Sequence, residues 1–249
     1  MQTIEQAMTA PVETTVPTVL STQESLKHGG MGMDEIVLPR LRILKDAKDG
    51  FAAGSLIDNV SGNEWKNLFI PLFVFNNYIE FDGMRIKRSS MDRTEPWVSE
   101  GLDWKEVLEN GFKRRLKPTV TQVISFVGYD AENFALPVVA GFKRTSLKAG
   151  KRFYTNCFSQ GRGVTLIEGT FFSQFNIKHR YALVSKKVED KNYGSYYTLE
   201  FALPKTQEEF NIPDLVQKEL WDLAKGAAVL VGALSAEAYG TDPEDGPAL

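Results

Sequence analysis

The sequence predicts a mainly β protein with minor helix, closer to a barrel or sandwich than to alternating βαβ units. Two observations predict it. Short runs rich in β-branched and aromatic residues recur along the chain with turn residues between them. Helix signals are confined to two segments, one near residue 103 and one near residue 213. The 249 residues are 43% hydrophobic and 24% charged, a composition that can bury a proper core.

Residues 1–33 read as a flexible arm, rich in Thr, Gln, Pro and Gly with no sustained period. Residues 34–236 form one β-rich domain, and 237–249 a short acidic tail. Ile36, Leu38, Leu41, Ile43 and Leu44 open the domain, with Pro39 arguing against a helix. Ser55 to Val60 reads as a strand between Gly54 and the turn Ser61-Gly62-Asn63. Leu68 to Phe81 is a strand with Pro71 placed as at an edge or bulge, and Asp82-Gly83 turns it back. Residues 84–117 look irregular. Within them, Asp103 and Glu106 have capping-box spacing, which predicts a short helix to Asn110.

Val120 to Tyr129 and Pro137 to Phe142 return to strand composition. Thr145 to Gly150 reads as a turn or short helix. Thr170 to Ser185 and Tyr193 to Leu203 read as long strands joined by a hairpin loop at Asp190 to Gly194. In the last strand Tyr197, Leu199, Phe201 and Leu203 share one parity, Tyr196, Thr198 and Glu200 the other. Pro213 and Asp214 start a C-terminal helix, with Leu215, Val216, Leu220, Leu223, Ala224, Ala227 and Val231 at helical spacing over 213–232.

Charge is distributed in opposed blocks. Gly141 to Lys187 carries ten Lys/Arg and one acid, Glu168, whereas Glu208 to Leu249 carries nine Asp/Glu and two Lys. The segment from Phe142 to Tyr154 interleaves cations with aromatics. Phosphates are held by Lys and Arg and unstacked bases by aromatic faces, so this is the composition of a single-strand groove. Lys143, Arg144, Lys148, Lys151, Arg152 and Tyr154 are its candidate contacts, extended by Arg162, Lys178 and Arg180. Arg42, Trp65, Phe75 and Tyr78 are candidates to complete it. Arg40, Arg85, Lys87, Arg88 and Lys113 to Arg115 can join it. The competing reading is that the cations sit on solvated strand faces and the aromatics belong to the core. Phe153 and Tyr154 would point opposite ways in a strand, leaving one available.

Other chemistry is weakly signalled. Glu80 and Asp82 at i, i+2 would share a strand face, the beginning of a metal-dependent nuclease site or a solvated strand end. His179 reads as a surface or groove residue and Cys157 as a small buried hydrophobe. There is no P-loop, dinucleotide fingerprint or serine nucleophile elbow. No cofactor, metal or catalytic residue is therefore expected. One cysteine excludes an intramolecular disulfide. No signal peptide and no apolar run of about 18 residues is evident, so a soluble, cytoplasmic protein is expected.

The run Leu38-Pro39-Arg40-Leu41-Arg42-Ile43-Leu44, then Gly54-Ser55, Asn59-Val60-Ser61-Gly62 and Ile70-Pro71-Leu72-Phe73, resembles the single-stranded DNA-binding proteins of tailed bacteriophages. So does Phe142 to Lys148. The resemblance spans roughly residues 34–205. It implies an OB-like barrel with insertions, sequence-tolerant binding of single-stranded DNA without catalysis, and work in replication or recombination in the host cytoplasm. It also implies an acidic C-terminal tail that contacts phage or host replication proteins and competes with DNA for the groove. Here the tail ends in Pro-Ala-Leu rather than an aromatic residue, a departure that bears on partner docking more than on DNA binding. The helix over 213–232 would pack on the barrel or make a homo-oligomer contact. A scaffolding protein without nucleic-acid binding is the rival from another class.

Overall fold

The computed structural model describes residues 38–83, 85–109, 112–160, 165–166, 171–191 and 194–221. The arm, Arg162, the second half of the expected C-terminal helix and the acidic tail lie outside them. Strands β1 (Arg40–Ile43), β2 (Leu56–Asp58), β3 (Leu68–Asp82) and β4 (Arg85–Ser90) precede the helix α1 (Pro96–Gly101). A hairpin follows, β5 (Lys105–Glu109) with β6 (Phe112–Leu116). Next come β7 (Val120–Asp130), β8 (Asn133–Lys143), α2 (Leu147–Ser159), β9 (Thr165–Leu166), β10 (Phe172–Gln174), β11 (Tyr181–Asp190), β12 (Gly194–Ala202) and α3 (Gln207–Phe210). Residues 214–221 are helical. No helix among the described residues is long and apolar enough to cross a membrane.

The fold is mainly β, as expected. Ten strands form one mixed sheet along the path β12-β11-β3-β7-β8-β1-β2, with β4 and β10 also on β3 and β9 on β10. The β1–β8 pairing is parallel and the others are antiparallel. The path does not close by strand pairing, so a hydrogen-bonded barrel is not what the described residues form. Its two sides nevertheless approach each other. The Ser146 hydroxyl, just past β8, accepts from the Leu199 N–H of β12 at 2.9 Å. Gly54, in the β1–β2 turn, lies so close to the Tyr197 ring that a Cβ there would sit 2.4 Å from Cε1.

β3 organises the domain because both of its faces are buried. A register shift between Pro71 and Phe73 marks the bulge that Pro71 predicted. On one face Ile70, Leu72 and Phe75 pack with Val127, Tyr129 and Val139, beneath Leu38, Ile177, Ile212 and Leu220. On the other, Phe69 and Val74 join Phe126, Phe142, Tyr181 and Leu199, with α2 supplying Cys157. Gly128 permits the close crossing at the bulge: a Cβ on it would stand 2.1 Å from the Ile70 carbonyl oxygen. Neither backbone can yield without breaking the ladder. Gly128→Ala is therefore expected to lose at least about 2 kcal/mol of stability, read as a lowered urea midpoint. An unchanged midpoint would contradict this packing.

Three expectations need correction. The capping-box helix from Asp103 is instead strand β5, in a hairpin whose register joins Glu109 to Phe112 and leaves only Asn110 and Gly111 to connect them. Asn-Gly is a strong two-residue hairpin connector, and so short a helix is marginal in water. The described residues of segment 84–117, expected to be irregular, thus form β4, α1, β5 and β6. The long strand over Thr170 to Ser185 is two strands, β10 and β11, with 175–180 between them outside any strand; Phe175 and Ile177 turn into opposite cores.

Candidate nucleic-acid interface

The basic segment is a helix that runs well past the turn or short helix expected over Thr145 to Gly150, and its cations do not sit on strand faces. β8 ends at Lys143; Arg144 then takes a left-handed φ of 49°, and a 3-10 turn over Arg144–Ser146 leads into α2. The helix forms because its apolar positions recur on one side. Gly150 and Cys157 are buried, and Leu147, Phe153 and Tyr154 flank them against the core. Phe153 stacks on Phe201 at 3.9 Å and meets the edge of Phe126 at 5.5 Å. Gly150 is needed for this docking, since a Cβ there would lie 2.9 Å from Phe142.

The opposite face carries the cations. Lys148, Lys151, Arg152 and Thr155 fall at i, i+3, i+4 and i+7 and are all exposed, and Arg144 is exposed at the helix entry. The sequence has no Asp or Glu between Glu132 and Glu168. Among the described residues, Arg144, Lys148, Lys151 and Arg152 make no ion pair. Cations elsewhere do: Arg88 and Lys87 with Glu80 at 2.5 and 3.4 Å, Lys66 with Glu64 at 2.8 Å, Lys187 with Glu189 at 2.9 Å. The first turn of α2 also lacks an acid. Cations gathered at the positive end of a helix repel its dipole in the free protein, and an anion placed there relieves that repulsion.

The other candidates do not gather into one groove. Phe75 is 4% exposed and Tyr78 3%, both core residues with no face open to a base. This corrects their assignment to base stacking: β3 is covered on both sides, so its aromatics fill cores. Trp65 is half-buried with its ring edge on Phe69 at 6.4 Å. Tyr154 is half-buried, its hydroxyl 3.3 Å from the Ser173 hydroxyl. Arg42 is half-buried in β1 opposite Ile57. Lys178 is exposed, but Arg180 donates to the carbonyls of Asn211 at 2.8 Å and Glu208 at 3.4 Å. Lys143 is half-buried at the end of β8. His179 lies half-buried and stacked on Phe210 at 4.3 Å. Cys157 is buried, as expected.

The aromatic that the sequence left unnoticed is Phe158. It is 65% exposed and stands three residues beyond Thr155 and seven beyond Lys151, on the border of the cationic face. Its helical offset from Lys148 and Lys151 was readable once the segment was taken as helix. Phe171, Trp104 and Trp221 are exposed rings outside the cationic helix.

The carboxylate pair at the end of β3 is not laid out for metal chemistry. Burial works to raise the Glu80 carboxyl, but hydrogen bonds and charge from Arg88 and Lys87 outweigh it and hold it below the usual range. Among the described residues no three His, Cys, Asp or Glu side chains converge as a metal site. No protein-family model matches this chain, and no curated protein or solved structure matches it either.

Proposed function

We propose that this chain is a non-enzymatic, sequence-tolerant single-stranded DNA binder of bacteriophage type, acting in DNA replication or recombination in the host cytoplasm. The observation that carries the reading is the exposed face of α2. Among the described residues its cations have no acid partner, and an open ring stands at their border. Such a face holds a phosphate backbone electrostatically and offers a base a stacking surface without reading its edge.

The topology supports an OB-like domain as the frame. β3, β7 and β8 form an antiparallel meander, α2 follows, and β11 returns to pair with β3 before turning into β12. That order of five strands and a helix supports the reading of a partly open barrel of this class. The departure is the β1–β2 hairpin, which lies beside β8 where the last strand would close the barrel.

The experiment is titration of a labelled single-stranded oligonucleotide over a salt series, with and without magnesium. Three to five phosphate contacts predict a log–log slope of roughly −2 to −3.5, at about 0.7 per contact. No cleavage is expected. A salt-independent signal, no binding near 0.15 M salt, or magnesium-dependent cleavage would overturn the reading, the last in favour of a nuclease.

A further inference from the structure

The cover over β3 has one gap. Between Phe69 and Ile79 only Asn76 is exposed. Val74, two residues before it, belongs to the core to which α2 supplies Cys157. Tyr78, two residues after it, belongs to the core shared with Val98 and Trp97 of α1. Residues two apart share a face, so Asn76 lies in a window between the two helices. Gln122, its diagonal neighbour on β7, donates from Nε2 to the Asn76 Oδ1 at 2.9 Å. Among the described residues the Asn76 amino group and the Gln122 carbonyl oxygen have no other partner. A donor and an acceptor therefore stand open side by side.

The cationic helix reaches this window. The Tyr154 hydroxyl meets the Ser173 hydroxyl of β10 at 3.3 Å, and Ser173 is the register partner of Val74. Phe171 stands two residues before Ser173, one step beyond the pair Phe172–Phe75, which sets it opposite Asn76. Phe171 is 56% exposed. The first turns of α2 lie at the same end. Gly150 is against Phe142, which pairs with Ile124 in the Asn76 row. Cys157, two turns on, is 3.8 Å from the hydroxyl of Tyr181, the partner of Phe69. Lys151, one turn before Tyr154, is thus exposed on the window side of the Tyr154–Ser173 contact, and Phe158 lies one turn beyond it on the far side. The one acid of the basic segment, Glu168, lies outside the described residues.

We infer that this window is a base subsite: a DNA strand whose phosphates follow the α2 cations lays one base on the Phe171 ring and its pairing edge on the Asn76–Gln122 amides. The inference rests on the proposed single-stranded DNA reading and adds where a base goes. Each of the four bases carries a donor and an acceptor side by side on its pairing edge, so one amide pair serves them all without selecting a sequence. The ring is equally tolerant, because every base has a π-face. In a duplex the pairing edge is taken by the other strand. The window thus discriminates single from double strands, which the α2 cations, able to hold the phosphates of either, do not.

The test compares three labelled probes on the full chain: an oligothymidylate, its counterpart with abasic residues throughout, and its duplex with oligodeoxyadenylate. Phe171→Ala is expected to weaken oligothymidylate binding about 5- to 150-fold, the loss of one stacked base, with the salt slope unchanged. Phe171→Trp should bind as the parent does. N76A/Q122A should weaken the same probe about fivefold or more. None of these variants should change binding of the abasic strand or the duplex, whereas a merely structural defect would weaken all three probes together. Parent-like binding of oligothymidylate by F171A or by N76A/Q122A, or an equal loss on the abasic strand, would show that no base enters the window while leaving the α2 reading intact. A parent chain that binds no single-stranded probe would sink the proposed function and the subsite with it.

Discussion

Phe126→Ala is expected to destabilise the domain by about 3–5 kcal/mol, a large part of the roughly 5–15 kcal/mol that holds a protein of this kind together. Phe126 is 0% exposed on β7. Four rings surround it: Phe142 at 5.2 Å, Phe153 at 5.5 Å, Phe175 at 6.0 Å and Phe201 at 5.0 Å. They come from β8, α2, the segment after β10, and β12. A cavity there cannot collapse from one side, because each neighbour is anchored in a different element. The loss is therefore expected near the upper end for a phenylalanine truncation, with the edge-to-face contacts to Phe142 and Phe201 lost as well. Urea unfolding followed by tryptophan fluorescence reads it. A change under about 1 kcal/mol would mean that the cluster is not the seam between α2 and the sheet.

The same cluster explains what the sequence could and could not reveal. Strands β3, β7 and β12 were legible because β-branched and aromatic runs ended at turn residues. Pro71 even located the bulge. The aromatics of these strands, however, could not be sorted into core and groove. In a sheet open on one face, alternation separates the two. In β3 both faces are buried, so Phe75 and Tyr78 look like an exposed stacking ladder and are core. The helix α2 was obscured for a related reason. Gly150 and the adjoining Phe153-Tyr154 pair weaken a helical reading, yet Gly150 is there to admit the Phe142 ring and the two aromatics flank one buried stripe. The cations were legible as composition. What no composition shows is that Arg144, Lys148, Lys151 and Arg152 converge on one acid-free face, while Arg180 is occupied with backbone carbonyls.

Removing that face by K148Q/K151Q/R152Q is expected to weaken single-stranded DNA binding about a hundredfold at 0.1 M salt and to reduce the salt slope by about 2, at roughly 0.7 per lost phosphate contact. Stability should hold or rise slightly, because the three exposed charges repel one another and Lys148 opposes the dipole in the first turn of α2. This pairing of lost affinity with retained stability separates a binding face from a solvated helix surface, whose removal would change neither quantity much. Arg144 allows a sharper form of the test. Its φ of 49° costs a non-glycine residue free energy that glycine does not lose. Arg144→Gly should therefore keep the entry into α2 at no cost in stability while weakening binding about fivefold, one contact's worth at 0.1 M salt. If R144G binds as the parent does and the triple variant keeps the parent's salt slope, DNA does not lie on α2. The exposed Phe158 should then also prove dispensable. If both variants lose slope in proportion to the charges removed, Phe158→Ala should cost a further about 1–3 kcal/mol of binding with the slope unchanged, since a stacked base releases no counterion.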